Sequence, residues 1–335
     1  MELVILIEVV EVKVKIKKLF YLILFSITNF LIFPVSLSTV KGLNRLSNYS
    51  EVKNINADRI YERYGGNRVF DRKNGIAYIK GEKSPFNGVI IVRKNGQNIT
   101  GIFQYVNGKS EYVEYEYFEN GQLYLHTEII HGKAEGNGFE YYQNGKLKDK
   151  RFYKNDIIVD STEYYQNGKL SRIFKATEGL RGIITGYYED GIHKASEMNV
   201  IQDYSKKGTI GYIRDGESTA YDKKGRIMGI LNYKDGKLTG LEQKVFKNGK
   251  LKYIFVSASE KATEDIKAMD YYIEYFDNSE QIKLDCKELA SNNWHCKEYS
   301  KNGKFKREFD SLTFKSPDDW SFGINMLLGI LNILF

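Results

Sequence analysis

The stretch EYYQNGKLK at residues 140–148 decides the fold, because close copies of it recur along the chain. Asn-Gly between residues typical of β-strands is the strongest short-range sequence signal for a β-hairpin. Successive turn glycines are mostly 23 or 24 residues apart, with two shorter steps of 17 residues around Gly208. The clearest other copies are EYFENGQLY at 116–124, EYYQNGKLS at 163–171, GYYEDGIHK at 186–194, AYDKKGRIM at 220–228, KVFKNGKLK at 244–252 and EYSKNGKFK at 298–306.

We expect each Asn-Gly pair to form a two-residue turn, in which both central residues need positive φ. In YYQNGKL this geometry sets Gln143 opposite Lys146 and Tyr142 opposite Leu147. Tyr142 and Leu147 then form an aromatic–aliphatic cross-strand pair, the kind of pair that stabilises a sheet. The residues predicted to form the turns are Asn120, Gly121, Asn144, Gly145, Asn167, Gly168, Gly191, Gly225, Asn248, Gly249, Asn302 and Gly303.

A second turn follows each hairpin, so that every period contains two strands. One hairpin is marginally stable in water, whereas stacked hairpins stabilise their neighbours. The predicted fold is therefore all-β. It is an elongated array of antiparallel β-hairpin repeats with a period of about 23 residues, a single-layer meandering sheet, and a short C-terminal helix. The composition agrees, with 26 Tyr and 30 Gly against only 3 Pro.

The N-terminal segment has the layout of a secretory signal. KVKIKK at 13–18 precedes an uncharged apolar run at 19–33, and small residues follow. Basic, apolar and small-residue regions in this order predict a signal peptide over 1–38, with cleavage after Ser38. The alternative is an uncleaved N-terminal anchor. Either way we expect an exported protein of the periplasm, the cell envelope or the extracellular space.

The rest of the chain has three predicted regions: a linker at 39–66, the repeat array at 67–315 and an apolar tail at 316–335. The tail is short for a membrane-spanning helix. We expect it to cap the sheet, because an exposed strand edge invites aggregation; membrane or partner contact is the alternative. Within the array, residues 256–270 lack a strand pattern and are interpreted as an inserted loop or short helix.

The chain has little of the material that catalysis or metal binding needs. It contains 4 His and 2 Cys, and it lacks the nucleophile-elbow, P-loop and H-E-x-x-H motifs. One Glu recurs per repeat, whereas a catalytic residue is needed once, so we expect an exposed ladder of Glu facing Lys. We therefore predict no enzyme, no catalytic residue, no cofactor and no metal site. The recurring residues are Glu116, Glu140, Glu163, Glu274 and Glu298.

Two further features concern the cysteines and the charge. If strands 282–288 and 294–300 pair through a turn at 290–293, Cys286 and Cys296 face each other, and a disulfide is reasonable in an exported protein; a buried pair of free thiols is the alternative. The net charge of +7 is spread along the chain. Nucleic-acid binding usually needs a concentrated basic stripe, so we expect no nucleic-acid partner.

The unit E-Y-Y-x-N-G-K-L followed by Y-K-x-G-K-x-x-G resembles the variant MORN repeat, and it is most similar to the bacterial YwqK-type antitoxin group. The best-matching stretches are 140–154, 163–175, 220–240 and 242–255, within a resemblance that covers about 67–310. The resemblance implies a β-hairpin array acting as a binding scaffold, with toxin neutralisation proposed for some members. It implies no catalytic residues.

These observations predict a non-enzymatic exported scaffold that binds another protein through a Tyr-rich sheet face. Under the resemblance the partner is a toxin or another envelope protein, in an antitoxin- or immunity-like role. The alternatives are a cell-wall glycan stacked on the rings and a phospholipid surface. The residues predicted to form the binding face are Tyr117, Tyr141, Tyr142, Tyr164, Tyr165, Tyr187, Tyr188, Tyr272 and Tyr275.

Overall fold

The computed structural model describes residues 34–64, 70–73, 75–94, 98–205, 210–239, 242–257, 269–290 and 293–311. The chain divides into two compact units, residues 1–132 and 133–335. Over the described residues both units are built mainly of strands, most of which pair with the next strand in the chain, so the predicted all-β array of antiparallel hairpins is confirmed. The elongation predicted from stacking concerns the whole chain and stays a prediction. Within the described ranges, no helix has the length and apolar character needed to cross a membrane.

The described part of the first unit contains one short helix, α1 (Tyr49–Val52), and two 3₁₀ turns, Leu37–Thr39 and Leu43–Arg45. β6 to β9 form an antiparallel meander, and β3 pairs in parallel with β6. Two small sheets join β1 to β2 and β4 to β5. The strands are β1 (Val35–Ser36), β2 (Asn56–Ala57), β3 (Ile60–Tyr64), β4 (Phe70–Lys73), β5 (Ile76–Ile79), β6 (Gly88–Lys94), β7 (Asn98–Val106), β8 (Lys109–Tyr117) and β9 (Leu123–Ile130).

The second unit is an antiparallel meander in which nearly every strand pairs with the next one in the chain. The short β18 interrupts this order, because β17 pairs with both β18 and β19. The strands are β10 (Lys133–Tyr141), β11 (Leu147–Lys154), β12 (Ile157–Tyr164), β13 (Leu170–Ala176), β14 (Arg181–Tyr187), β15 (Lys194–Asp203), β16 (Gly211–Tyr221), β17 (Ile227–Lys234), β18 (Lys237–Leu238), β19 (Glu242–Lys247), β20 (Lys250–Ser257), β21 (Met269–Tyr275), β22 (Ile282–Ala290), β23 (Asn293–Tyr299) and β24 (Phe305–Ser311).

The segment predicted as a linker, residues 39–66, is folded over its described part and packs against β8. The Tyr115 hydroxyl donates a hydrogen bond to Glu51 (2.5 Å), and the Tyr117 hydroxyl donates one to Asn48 (2.9 Å). Burial raises the pKa of the Tyr117 hydroxyl to a value well above that of an exposed tyrosine. The segment therefore belongs to the first unit. It needs few apolar residues to stay folded, because it packs against a sheet that is already formed.

The end of the predicted signal region is folded as well. β1 pairs with β2, and the Leu37 side chain is fully buried. Removal of residues up to Ser38 takes away this strand and this side chain. The rest of the signal prediction, the cap and helix predicted in the tail at 316–335, and most of the insertion at 256–270 lie outside the described residues.

Most of the predicted turns have three residues instead of two. The Tyr142 N–H donates to the Lys146 carbonyl (2.8 Å), and the Gly145 N–H donates to the Tyr142 carbonyl (2.8 Å). Gly145 has φ of +82°, whereas Asn144 is not left-handed and instead accepts a hydrogen bond from the Lys146 N–H (3.0 Å). The two-residue turn is therefore wrong here, and Tyr141, not Tyr142, lies opposite Leu147. The same three-residue geometry occurs at Asn120–Gly121, Asn167–Gly168, Gly225 and Asn302–Gly303, and the loop at Gly191 is one residue longer.

Two-residue turns do occur where both central residues have positive φ. Asn248 and Gly249 have φ of +56° and +78°, and they set Phe246 opposite Leu251, as the sequence predicted for this hairpin. The other turns of this kind connect the opposite ends of the strands. They are Asn107–Gly108, His131–Gly132, Asn155–Asp156 and Asp235–Gly236.

One face of the second unit's sheet is buried and forms its core. The side chains of Phe174, Ile184, Met198 and Leu231 are almost completely buried there. Cys286 and Cys296 lie directly opposite each other in the register that the sequence predicted, and the structure joins them in a disulfide within this core. The opposite face of the sheet is half-exposed, since side chains alternate along each strand.

Two turn glycines test what the turns require. A Cβ added at Gly168, where φ is +89°, has no atom within 4 Å. Gly168→Ala therefore lowers the free energy of unfolding only by the strain of a left-handed alanine, about 1 kcal/mol. A Cβ at Gly191 lies 2.8 Å from the Lys169 Cβ and 2.9 Å from the Leu170 nitrogen, so Gly191→Ala costs roughly 2–3 kcal/mol. Urea unfolding measures both, and equal costs contradict the geometry.

Candidate binding surface

A row of aromatic and aliphatic side chains runs along the outer face of the second unit, near the end of each hairpin. Residues just before them, such as Ala220 and Val245, are buried, so alternation turns the row outward. We call this row the aromatic stripe. Its members are all partly or largely exposed, and they form the cross-strand pairs Tyr141–Leu147, Tyr164–Leu170, Tyr187–Lys194, Tyr221–Ile227, Phe246–Leu251, Tyr275–Ile282 and Tyr299–Phe305.

The stripe combines apolar rings with charged groups. The Lys194 Nζ atom lies 4.6 Å from the centre of the Tyr221 ring, within the range of a cation–π contact. At the last hairpin, Tyr299 and Phe305 meet edge to face with ring centres 6.0 Å apart, and Phe305 is 56% exposed. Aromatic side chains with polar neighbours are enriched in protein interfaces, so this row is the candidate binding surface.

Four of the predicted binding tyrosines, Tyr141, Tyr164, Tyr187 and Tyr275, lie on the aromatic stripe. The sequence prediction missed four aromatic members, Tyr221, Phe246, Tyr299 and Phe305. For two of them the signal was present in the repeat, since AYDKKG and EYSKNG place Tyr221 and Tyr299 four residues before the turn glycine, as EYYQNG places Tyr141. Phe246 lies only three residues before Gly249, and its shorter two-residue turn brings it onto the stripe.

Three other predicted tyrosines connect neighbouring hairpins. The hydroxyls of Tyr142, Tyr165 and Tyr188 each donate a hydrogen bond to a backbone carbonyl of the next hairpin. The acceptors are Tyr164 (2.7 Å), Tyr187 (2.6 Å) and Tyr221 (2.7 Å). Burial raises the pKa of the Tyr142 and Tyr188 hydroxyls. We call this series the tyrosine ladder; its rings are half-buried and its hydroxyls serve the fold.

The last two predicted tyrosines are core residues. Tyr117 is 5% exposed, and Tyr272 is completely buried beside Tyr253. Along β21 the side chains alternate, so Tyr272 and Glu274 face inward and Tyr275 faces outward. The expectation that these two tyrosines belong to an exposed face is therefore not met.

The recurring glutamates are paired with basic residues, but not all of them are exposed. Glu140 is 8% exposed and binds Lys148 (2.6 Å) and Arg151 (2.9 Å). Glu274 is 4% exposed and binds Lys252 (3.0 Å). The exposed ladder is wrong at these two positions, because the residue before each stripe aromatic faces the core. Glu163 pairs with Arg172, and Glu298 pairs with Lys306 and Arg307.

Among the carboxyls that the structure describes, burial raises the pKa of Glu116 and of Asp149. The pKa of Glu116 is raised by burial and by the charge of Glu114, and the described residues offer it no basic partner within ion-pair distance. Asp149 lies opposite Glu140 and binds Arg151 (2.6 Å); burial raises its pKa to about 6. Among the described residues, no group of three or more His, Cys, Asp or Glu is placed to hold a metal ion.

In a comparison with known protein families, the hairpin formed by β10 and β11 matches a repeat family. Residues 134–155 match the family model of the MORN repeat variant. This hairpin is a MORN repeat variant. The matched residues carry the three-residue turn, the first stripe pair and the first residue of the tyrosine ladder. No curated protein matches the chain in a sequence comparison.

Removal of one ladder hydroxyl tests the connection between MORN-like hairpins. Tyr165→Phe keeps the ring but deletes the hydrogen bond to the Tyr187 carbonyl, at a cost of about 1 kcal/mol in the free energy of unfolding. Tyr187→Phe is the matched control, since the Tyr187 hydroxyl makes no hydrogen bond to a described residue. Chemical denaturation compares the two, and an equal loss contradicts the ladder.

Asp149 gives the fold a pH dependence that Asp149→Asn removes. Its folded pKa of about 6 exceeds the ordinary value of 3.8, so the folded state binds the proton more tightly than the unfolded state. Wild-type stability relative to the variant therefore rises as the pH falls from about 7 to about 4. The full difference is on the order of 3 kcal/mol. Denaturation of both proteins across this range measures it, and a pH-independent difference contradicts it.

Proposed function

We propose that this chain is a non-enzymatic, exported repeat scaffold that binds another protein through the aromatic stripe. The observation that carries the proposal is the stripe itself, a continuous outward row of rings and aliphatic side chains along the hairpins of the second unit. Sheet faces that are wholly solvated have polar side chains, and an outward apolar row in a repeat array is typical of a binding face.

The chemistry of the stripe supports a protein partner. The rings are rigid and amphipathic, and they alternate with Leu and Ile, as in the centres of protein interfaces. Lys194, over the Tyr221 ring, adds a charged group to the row. With Tyr as the recurrent ring and only 2 Trp in the chain, the stripe offers less ring area for stacking sugars.

The finer part of the proposal is an antitoxin- or immunity-like role. The resemblance of the repeats to the YwqK-type group supports it, and the partner is then a toxin or another exported protein. Export is supported by the signal-like N-terminal sequence and by the disulfide between Cys286 and Cys296, since disulfides persist in oxidising compartments.

Cross-linking capture from the native envelope, followed by purification of the captured protein, tests the proposal. Tyr187→Glu places a charge in the stripe, and we expect it to weaken binding of the purified partner at least about tenfold. Thr185→Glu is the matched control, because Thr185 lies on the same strand and face, also half-exposed, two residues away. We expect it to change the affinity less than about twofold.

Three results contradict the proposal. Equal effects of the two variants exclude the stripe as the contact surface. Recovery of no stoichiometric partner weakens the protein-binding function itself. Binding of the purified chain to isolated cell wall or to phospholipid vesicles, with Tyr187→Glu abolishing it, assigns the stripe to a glycan or a membrane surface instead.

A further inference from the structure

A second candidate site lies in the first unit, where Tyr112 has an unusual backbone conformation and follows Glu111, an acid that recurs at the same place in other repeats. At three places an acidic side chain accepts a hydrogen bond from the first backbone N–H of a later two-residue turn. This contact holds neighbouring hairpins together at the ends opposite the tyrosine ladder. The pairs are Glu111 with His131 (2.7 Å), Glu135 with Asn155 (2.7 Å) and Asp215 with Asp235 (3.4 Å).

The residue after each of these acids has a positive φ, and two of the three are glycines. Gly136 has φ of +100° and Gly216 has φ of +118°, whereas the third is Tyr112, with φ of +70°. All three lie opposite the residue two positions before the next turn, so their place in the repeat is the same. Glycine adopts this backbone at no steric cost, but a bulky side chain is strained there.

The fold draws little benefit from the Tyr112 side chain. It is 60% exposed, and its hydroxyl makes no hydrogen bond to any residue that the structure describes. The other repeats show that glycine is sufficient for the turn contact. A strained residue that does not stabilise its surroundings points to a function, because the cost of the strain must be offset elsewhere.

Tyr112 borders a cleft of about 370 Å³ within the first unit. This volume falls in the range of small-molecule sites, which combine apolar surface with a few polar groups. Val106 is 37% exposed and adds apolar surface beside the ring. The lining residues are Val106, Asn107, Lys109, Glu111, Tyr112 and His131.

The polar lining places one ammonium beside one carboxylate and an amide, which suits a ligand that has both a carboxylate and hydroxyl groups. The Lys109 ammonium makes no ion pair with a described carboxylate, so its charge is available to a ligand. Glu111 is committed through one oxygen to the His131 N–H, and its other oxygen remains an acceptor. Asn107 adds an amide at the turn. The His131 side chain is 81% exposed, and its Nδ1 atom lies 3.4 Å from the same Glu111 oxygen that accepts the His131 N–H.

We propose that this cleft binds one ring of an acidic saccharide, a hexuronic acid. The C–H face of the sugar stacks on the electron-rich face of Tyr112, its carboxylate binds Lys109, and its hydroxyls bond to Asn107 and Glu111. The site is separate from the aromatic stripe, so its failure leaves the proposed protein-binding function untouched, and the reverse also holds.

Titration of the full chain with two methyl glycosides tests the site. Methyl glucuronide and methyl glucoside differ only in a carboxylate against a hydroxymethyl group. We expect saturable binding of the glucuronide with a dissociation constant on the order of 1 mM, and binding of the glucoside about tenfold weaker or less. Lys109→Gln removes this preference. An absence of saturable glucuronide binding to the folded wild type overturns the proposal.

Tyr112→Gly is the decisive variant, because it restores the residue that two other repeats carry. We expect its melting temperature to equal or exceed that of the wild type, while glucuronide binding falls at least about tenfold. Unchanged binding in this stable variant would falsify the stacking role of Tyr112. Equally tight binding of N-acetylleucine, a carboxylate without a sugar ring, assigns the cleft to a peptide terminus instead.

Discussion

Hydrogen bonds between neighbouring hairpins are the constraint on which this repeat structure depends. At one end of the strands, ladder hydroxyls such as that of Tyr165 donate to a carbonyl of the next hairpin. At the other end, Glu135 accepts from a turn N–H about twenty residues later. A lone hairpin has no partner for either group and is marginal in water, so each hairpin gains stability only beside its neighbour.

Because of this constraint, the two adjacent tyrosines in each E-Y-Y unit have different roles. In residues 140–142, Glu140 faces the core and pairs with Arg151, Tyr141 faces outward on the stripe, and Tyr142 reaches the next hairpin. When each hairpin repeats this arrangement, the outward tyrosines form a solvent-facing row, while the other tyrosine of each pair still joins neighbouring hairpins. The binding surface that we propose is therefore a by-product of the same spacing that assembles the fold.

Much of the fold could be predicted from the sequence, because the residues that form turns and pair across a hairpin act on their near neighbours in the chain. The spacing of the glycines predicted the hairpins. Once the turn at 290–293 was placed, each residue of one strand had a single opposite residue on the other, and this predicted that Cys286 lies opposite Cys296. The candidate surface was readable only in part. Tyr272 and Tyr275 look alike in sequence, yet they lie three residues apart on β21, so the alternation of side chains sends them to opposite faces. Which of the two faces is buried depends on what packs against the sheet, and the sequence of a single hairpin does not show this.

The sequence by itself determined the strands, the repeat and the residue types that each hairpin offers. Only the tertiary structure decided what each residue does. Asn144 and Asn248 both precede a turn glycine, but Asn144 accepts a backbone hydrogen bond in a three-residue turn, whereas Asn248 is left-handed in a two-residue turn. Tyr112 takes the backbone of a glycine in a way that no propensity predicts. The reason is physical: local preferences between such states differ by about 1 kcal/mol, and contacts with the next hairpin outweigh them.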